Sequence, residues 1–253
     1  MEECFPEATD RGLQFGDGHF TTVRVRAGQL CLWPQHLNRL LTAQAQLLMP
    51  NFDPEQLSTA ACNRAQQIGE GVLKVIVTRG DSTQGYGYSD DISSHIYLNG
   101  KALQLPAPTP LNLFKAELTL SIQPLLAGIK TLNRLEQVLL SQEQQRRQCQ
   151  LWVADHDQQI YGGVQANLFW RVNGRWHTPQ ISGAGVNGIA RQQLLSSGLM
   201  GEVEVAEFPC QHLAEAEQAF LCNCVRGIQP IAQLDGRALE VLDYKDWELC
   251  LNQ

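Results

Sequence analysis

The chain is 253 residues long, 43% hydrophobic and 18% charged, a globular composition with room for one large domain or two modest ones. Its formal net charge of -7 argues against a nucleic-acid binder, whose affinity rests on clustered Lys and Arg; the one basic pair, Arg146-Arg147, reads as a helix end. No run approaches the roughly 20 apolar residues of a bilayer span, and the acidic opening MEECFPEATDRG lacks the apolar core of a signal peptide, so no membrane partner and a cytoplasmic location are expected.

In chain order, FTTVRVRAGQLCLW (20–33) predicts two short strands around an Ala27-Gly28 turn. PQHLNRLLTAQAQLLM predicts a helix entered at Pro34, with Leu37, Leu40, Leu41, Leu47 and Leu48 on one face. A second helix from Pro54 to about Gln67 leads into GVLKVIVTRG (71–80), the most strand-like run of the chain. HIYLNG (95–100) is another short strand. KALQLPAPTP (101–110) is proline-rich and poorly periodic, as a linker is. The expected organisation is an N-terminal α/β domain over 1–104, a linker over 105–112 and a C-terminal domain over 113–253.

Beyond the linker, ELTLSIQP alternates Leu118, Leu120 and Ile122 in the manner of a half-buried strand. The run TLNRLEQVLLSQEQQRRQ predicts a helix capped by Thr131, with Leu132, Leu135, Val138 and Leu139 as its apolar stripe. LWVADHDQQIYGG and NLFWRVNGRWHTP predict strands, the second pair joined by a type I′ turn at Asn173-Gly174. A helix from Ile189, a strand VEVAEF, a short helix around Glu215, a strand AFLC and a terminal LDGRALEVL follow. Strands and helices mixed on both sides of a linker imply two α/β or α+β domains. The eight cysteines are scattered, several in apolar runs, and are expected as reduced thiols. The six histidines form no ligand-spaced pair and Cys222-Asn-Cys224 is too tight for zinc, so no metal site is expected.

Two motifs carry chemistry. SGAGVNGIARQQLL (182–195) places Gly183, Gly185 and Gly188 in the G-x-G-x-x-G spacing before a helix. A dinucleotide site needs a hydrophobic parallel strand just before the first glycine, and RWHTPQIS, with Pro179, is a poor one. The glycines still let backbone N–H groups approach an anion at the positive end of the helix, so the reading is a phosphate turn or a plain surface turn. The second motif is LLAGIKTLNRLEQV (125–138). Apolar neighbours and a helix start beside Lys130 both disfavour its charge, the condition for nucleophilic or general-base work. A solvated, idle lysine is the alternative. A reactive lysine paired with a phosphate turn that has no Walker lysine points to pyridoxal phosphate (PLP), an aldehyde to trap with a phosphate to anchor.

QFGDGHFTT (14–22), QHLNRL (35–40), AGIKTLNRLEQV (127–138), QANLFW (165–170) and GAGVNGIAR (183–191) together resemble fold-type IV PLP-dependent enzymes, and among them the bacterial 4-amino-4-deoxychorismate lyases. The resemblance covers nearly the whole chain beyond Thr9. It implies a two-domain fold like that of D-amino-acid aminotransferases, with the C-terminal domain binding PLP, and a homodimer acting on a small-molecule substrate. By that resemblance Lys130 is the residue that bonds the cofactor and moves protons. Arg39 and the N–H groups of Ile189 and Ala190 match phosphate contacts, with Asn223 a further donor. Phe20, Thr21, Thr22 and Gln84 match substrate-facing positions. The implied reaction converts 4-amino-4-deoxychorismate to 4-aminobenzoate and pyruvate in folate synthesis. The alternatives are a branched-chain or D-amino-acid aminotransferase, whose members usually carry an acid where this chain has Thr21-Thr22, and a degenerate relative. Two departures stand out. The family's pyridine-facing glutamate, five residues before the Asn of NLFW, is Gly162 here, with Asp155 and Asp157 nearby in sequence. Gln84 replaces an arginine that relatives often show.

Overall fold

In the computed structural model, residues 6–251 are described, and internal contacts divide the chain into two units. The first is Met1–Gln104 with Lys130–Asn133; the second is Leu105–Ile129 with Arg134–Gln253. Cys4 lies outside the described residues.

The first unit opens with a short helix, α1 (Arg11–Phe15), that the sequence pattern did not announce. Strand β1 (Gly18–Arg26) and the short β2 (Gln29–Leu30) follow, then helices α2 (Trp33–Gln46) and α3 (Pro54–Ile68), and strands β3 (Gly71–Thr78) and β4 (His95–Ala102). The sheet order is β2-β1-β3-β4, antiparallel throughout. Ala27 and Gly28 both have positive φ (47° and 74°), as the expected hairpin turn requires. Period-2 alternation decides what each strand buries: His19, Thr21, Val23 and Val25 of β1 and Leu73, Val75 and Val77 of β3 are all buried. The aliphatic ones pack with Leu40, Leu57, Ala61 and Ala65 of the two helices. Both helices begin with proline in the first turn, and Asp53 caps α3 by accepting the N–H of Glu55 and Gln56.

The inward face of α2 differs from the leucine stripe read above. Leu41 and Leu48 are exposed (39% and 78%), while His36, Leu40, Ala43 and Gln44 are buried. Leu48 lies past the helix end with φ 51°. Leu41 falls at the margin of the arc, so two polar residues take the inner positions, each with a hydrogen-bond partner.

The second unit contains β5 (Leu111–Lys115), α4 (Leu135–Arg147), β6 (Gln150–Ala154), β7 (Ile160–Gly163), β8 (Asn167–Val172), β9 (Arg175–Pro179), α5 (Ile189–Ser197) and β10 (Val203–Ala206). A 3-10 turn at Cys210–Glu215 leads to β11 (Gln218–Asn223), β12 (Gly227–Leu234), β13 (Arg237–Ala238) and the short α6 (Lys245–Glu248). The nine-stranded mixed sheet runs β10-β9-β8-β11-β12-β5-β6-β7, with β13 on β12. Its middle strands read as unbroken apolar runs because both faces are covered: Leu168, Trp170 and Val172 enter one core, Phe169 and Phe220 the other. Phe169 and Phe220 stack at 4.9 Å between centroids. Asn173 and Gly174 (φ 49° and 78°) make the expected turn between β8 and β9.

Several expectations are corrected here. ELTLSIQP forms no strand; only Leu120 makes an isolated bridge, to Asp155, and the strand is Leu111–Lys115, overlapping the expected linker. Alternation over so short a run does not separate a strand from a loop with every second residue buried. Helix α4 starts at Leu135 with Arg134 as N-cap, so Thr131 is no cap. Its inward residues are Leu140 and Glu143, whereas Leu135, Val138 and Leu139 are exposed (72%, 50% and 45%). The strand β12, GIQPIAQL, was not anticipated, its Pro230 and two glutamines masking the pattern.

Candidate active site

In the first unit, residues 130–132 run antiparallel along the edge of β1 that β2 leaves open. Phe20 donates its N–H to the Lys130 carbonyl (2.9 Å), Leu132 donates to Gly18 (2.9 Å), and His19 bridges Thr131. The FGDG segment makes room for this. Gly16 (φ 67°) ends α1 in the left-handed conformation, and a β carbon on Gly18 would meet the Val77 carbonyl at 2.3 Å and Leu132 at 2.9 Å. Asp17 between them accepts from Arg11 and Arg79, both at 2.8 Å. Burial pushes its carboxyl pKa up, but the two guanidiniums outweigh that and hold it below the usual range.

Lys130 is thereby held beside Phe20, its ammonium 4.6 Å from the ring centroid. Because Thr131 caps no helix, the helix-dipole part of the argument for a reactive lysine falls away; the positioning is strand-edge pairing instead. Alternation on β1 separates the predicted substrate residues. Phe20 and Thr22 share the half-exposed face, while Thr21 is fully buried on the helix side, its hydroxyl 2.6 Å from Nδ1 of His36. His36 is driven down to a pKa of about 3 by burial first and then by the charges of Arg39 and Lys130, so it is a neutral imidazole within the field of both cations. Its Nε2 is buried without a hydrogen-bond partner. Arg39 is half-buried on α2. Gln84 lies exposed in the loop between β3 and β4, where Arg11 donates to the carbonyls of Gly85, Tyr86 and Gly87.

The same unit brings Asp10, Asp81 and His95 together, one ligand atom from each within 4.8 Å of the others. The buried Asp10 carboxylate already accepts from the Gly12 N–H, Thr78 and Tyr97, with His95 at 3.2 Å, which accounts for the cluster as a hydrogen-bond hub.

The second unit holds the glycine turn. RWHTP forms the strand expected of it, β9, but, contrary to the expectation that no parallel strand precedes the glycines, it pairs in parallel with β10, which follows α5. The turn therefore leaves the carboxyl end of a parallel strand and enters a helix, the arrangement that favours anion binding. Gly188 is the N-cap of α5 and has no side chain with which to cap it. Asn167 donates to the Val186 carbonyl (2.9 Å), and a β carbon on Gly188 would lie 1.9 Å from Asn167 Oδ1. Arg191 ties the first turn down through Asn187 and the Pro179 carbonyl. Ile189 and Ala190 are buried at this helix end. A helix start with glycine as its N-cap, behind a glycine cradle, fits a phosphate group.

Asn223 makes its hydrogen bonds within and beside its own turn. Its Oδ1 accepts the N–H groups of Val225 and Arg226 and its amide donates to Gln165, so the side chain closes the β11–β12 turn. Gly162 has φ 139°, a conformation that L side chains rarely adopt, and a β carbon there would meet the Ala166 carbonyl at 3.1 Å. Asp155, the acid nearby in sequence, is buried and accepts the N–H groups of Asp157 and Gln159 (both 2.9 Å) in the β6–β7 turn. Tyr161 packs at Gly183, its phenol pKa raised to about 12 by burial and then by Asp155.

The structure sets Lys130 beside Phe20, and sets the glycine turn before α5. The sequence reading did not single out Lys74, His36, Asn167 or Tyr161. Lys74 had a signal, a lysine alone inside the apolar run GVLKVIVT; Asn167 and Tyr161 had none beyond their neighbours.

Residues 18–234 match the amino-transferase class IV family. An aminodeoxychorismate lyase from Vibrio harveyi is 30% identical over 236 residues, 88% of this chain and 85% of that protein. A D-alanine aminotransferase from Bacillus licheniformis is 24% identical over 244 residues, 94% of this chain and 86% of that one. Among solved structures, the 4-amino-4-deoxychorismate lyase from Pseudomonas aeruginosa superposes with a TM-score of 0.89 at 33% identity, covering 97% of this chain and 93% of that one.

Proposed function

Because this chain belongs to the class IV aminotransferase family, fold-type IV enzymes that depend on PLP, we propose that it is a lyase converting 4-amino-4-deoxychorismate to 4-aminobenzoate and pyruvate, a step of folate synthesis. The observation that carries the reading is Lys130, fixed by its own backbone against β1 with its ammonium beside Phe20. Greater identity to two lyases (30% and 33%) than to the D-alanine aminotransferase (24%) supports the lyase over a transaminase.

In this reading Lys130 carries the cofactor, Arg39 and the N–H groups of Ile189 and Ala190 hold its phosphate, and Asn223 serves through the turn it closes. The cofactor, when bound, supplies an electron sink that acidifies the carbon bearing the substrate amine. Lys130 takes the proton from that carbon. As the ring becomes aromatic, the bond from the adjacent carbon to the enolpyruvyl oxygen breaks, and the departing enolpyruvate takes up a proton to become pyruvate. Phe20 and Thr22 flank the substrate, Gln84 approaches it from its loop, and Thr21 steadies His36 from behind. Gly162 supplies no carboxylate for a cofactor ring nitrogen, a loss that weighs more on transamination, which needs the deeper sink, than on a reaction that gains aromaticity.

We propose an N-terminal domain over 1–104 and a C-terminal cofactor domain over 113–253, joined by 105–112, of which the last two residues already open β5, with Lys130–Asn133 grouped with the first unit. The pairing partner is a second copy of the chain: Leu135, Val138 and Leu139 leave an apolar stripe exposed on α4. A cytoplasmic location accords with the free thiols of the described cysteines. Among the described residues no helix is long and apolar enough to cross a membrane.

The test is turnover of aminodeoxychorismate to a fluorescent aromatic amine, beside an absorbance scan before and after borohydride. Lys130→Ala should abolish the hydride-trapped pyridoxyl adduct and lower turnover by at least about 100-fold. Exchange of amino groups between D-alanine and 2-oxoglutarate, without aminobenzoate formation, would instead establish the aminotransferase.

A further inference from the structure

Three consecutive residues of β1 hold two different segments of the first unit. Phe20 donates its N–H to the Lys130 carbonyl at 2.9 Å, and its ring carries the ammoniums of Lys130 and Lys74 at 4.6 and 4.5 Å from the centroid. His19 and Thr21, on either side of it, bond instead to α2. His19 Nε2 lies 3.0 Å from Oε1 of Gln44, and the Thr21 hydroxyl 2.6 Å from Nδ1 of His36. None of the four is more than 2% exposed. The Gln44 amide nitrogen donates to Ser94 and to the Pro50 carbonyl, an acceptor only, so its oxygen is left to accept the Nε2–H of His19.

Neither imidazole has a hydrogen-bond partner at its other nitrogen. Each ring therefore spends its hydrogen bonding on the joint between β1 and α2, around which Val23 and Val25 pack with Leu40. Apolar pairs at both joints would pack without the cost of burying half-satisfied rings, so stability is a poor reason for them. Aliphatic contact is non-directional and tolerates a slide along the helix axis; a buried hydrogen bond does not. His36 and Gln44 stand eight residues apart on α2, just over two turns, and Arg39 lies between them.

We propose that the Thr21–His36 and His19–Gln44 pairs are positioning residues for the cofactor: they register α2 on β1 so that Arg39 and Lys130 stand at the separation set by the phosphate and aldehyde of one PLP molecule. The proposal rests on the roles given above to Arg39 and Lys130 and is indifferent to the choice between lyase and aminotransferase. Both cofactor groups sit on one rigid ring, so their spacing is covalent, and a slip of one residue along α2 is about 1.5 Å. A misplacement on that scale costs affinity, because the two anchors no longer engage one molecule together. His36 stays neutral in the field of both cations, so it adds no third positive charge.

The experiment strips the full-length protein of cofactor and titrates wild type, Thr21→Val, Gln44→Met and Thr21→Ser by fluorescence. The probes are PLP, pyridoxal, which lacks the phosphate, and pyridoxamine phosphate, which lacks the aldehyde. Thr21→Val and Gln44→Met should each bind PLP about tenfold or more weakly, while each one-anchor probe stays within about threefold of wild type. Thr21→Ser keeps the hydroxyl and should stay within about threefold for all three probes. At saturating PLP the hydride-trapped adduct at Lys130 should still form in every variant. A merely structural role would lower the unfolding temperature and leave the three dissociation constants in their wild-type ratio. That outcome, or PLP binding equal to wild type in either folded variant, overturns the proposal. Should Thr21→Val fail to fold, Gln44→Met decides alone. Absence of the adduct in wild type removes the role given to Lys130 and the proposal with it, whereas variants that match wild type on a protein that forms the adduct remove the positioning role only.

Discussion

Gly162 has a backbone conformation that L side chains rarely adopt. Its φ of 139° and the Ala166 carbonyl 3.1 Å from an added β carbon mean that installing a carboxylate there is a backbone problem before it is an electrostatic one. Gly162→Glu is expected to lower stability by about 1–3 kcal/mol, and Gly162→Ala by nearly as much, because the strain belongs to the main chain. Denaturant unfolding of both variants checks this; a stable glutamate variant would mean that the glycine conformation is adopted rather than required. Thr21 makes a related point. Removing its hydroxyl would leave buried His36 with neither nitrogen bonded, so Thr21→Val should cost about 1–3 kcal/mol in the same measurement while leaving the Lys130 adduct in place. The glycine spacing was legible because glycine is required where a β carbon cannot fit. The partners of His36 were not, since they come from β1, fifteen residues earlier.

At the scale of elements, the turn between α1 and β1 and the loop between β3 and β4 are one device. Asp17 holds Arg11 and Arg79, and these in turn hold the carbonyls of Gly85, Tyr86 and Gly87 and of Leu47 and Leu48. Asp17→Asn leaves two largely buried guanidiniums without a counter-charge and should destabilise the protein by about 3–5 kcal/mol. Limited proteolysis should then cut first within 81–94; a loop as protected as in wild type would show that the backbone carbonyls suffice. Both two-residue hairpin turns were legible because positive φ at two successive positions selects a few residue types. The stripe of α4 was legible as a helix signal but not as to its orientation. Leu135, Val138 and Leu139 share a face, and the sequence says nothing about which neighbour, if any, that face meets.

At the scale of the molecule, His19, His36 and His177 are all buried with pKa values lowered, first by burial in each case. Each keeps the native state neutral where the unfolded chain, near 6.5, takes up protons. The unfolded state thus binds more protons below that value, so stability is fully present above about pH 6.5 and declines as pH falls through it toward 3. The unfolding temperature should drop steadily between pH 7 and pH 4, and His36→Gln should flatten part of that slope. A curve as steep in the variant as in wild type would remove His36 from the cause. Asp17, whose pKa is lowered in the folded state, adds to the loss as pH falls through the usual carboxylate range, where the unfolded chain takes up the proton.

What the sequence alone determined was local: turns that need positive φ, strands with alternating burial, helix starts near Pro34, Pro54 and Ile189, and a lysine motif specific enough to name a family. Those features depend on neighbours within a few residues, which a linear pattern records. Only the tertiary structure decided that residues 130–132 complete the edge of a strand more than a hundred residues earlier, that RWHTP lies parallel to a strand beyond α5, and that Lys74 shares a ring with Lys130. Each is a pairing between distant segments, set by which strand edge stands open and which face the core leaves uncovered, and no spacing along the chain encodes it.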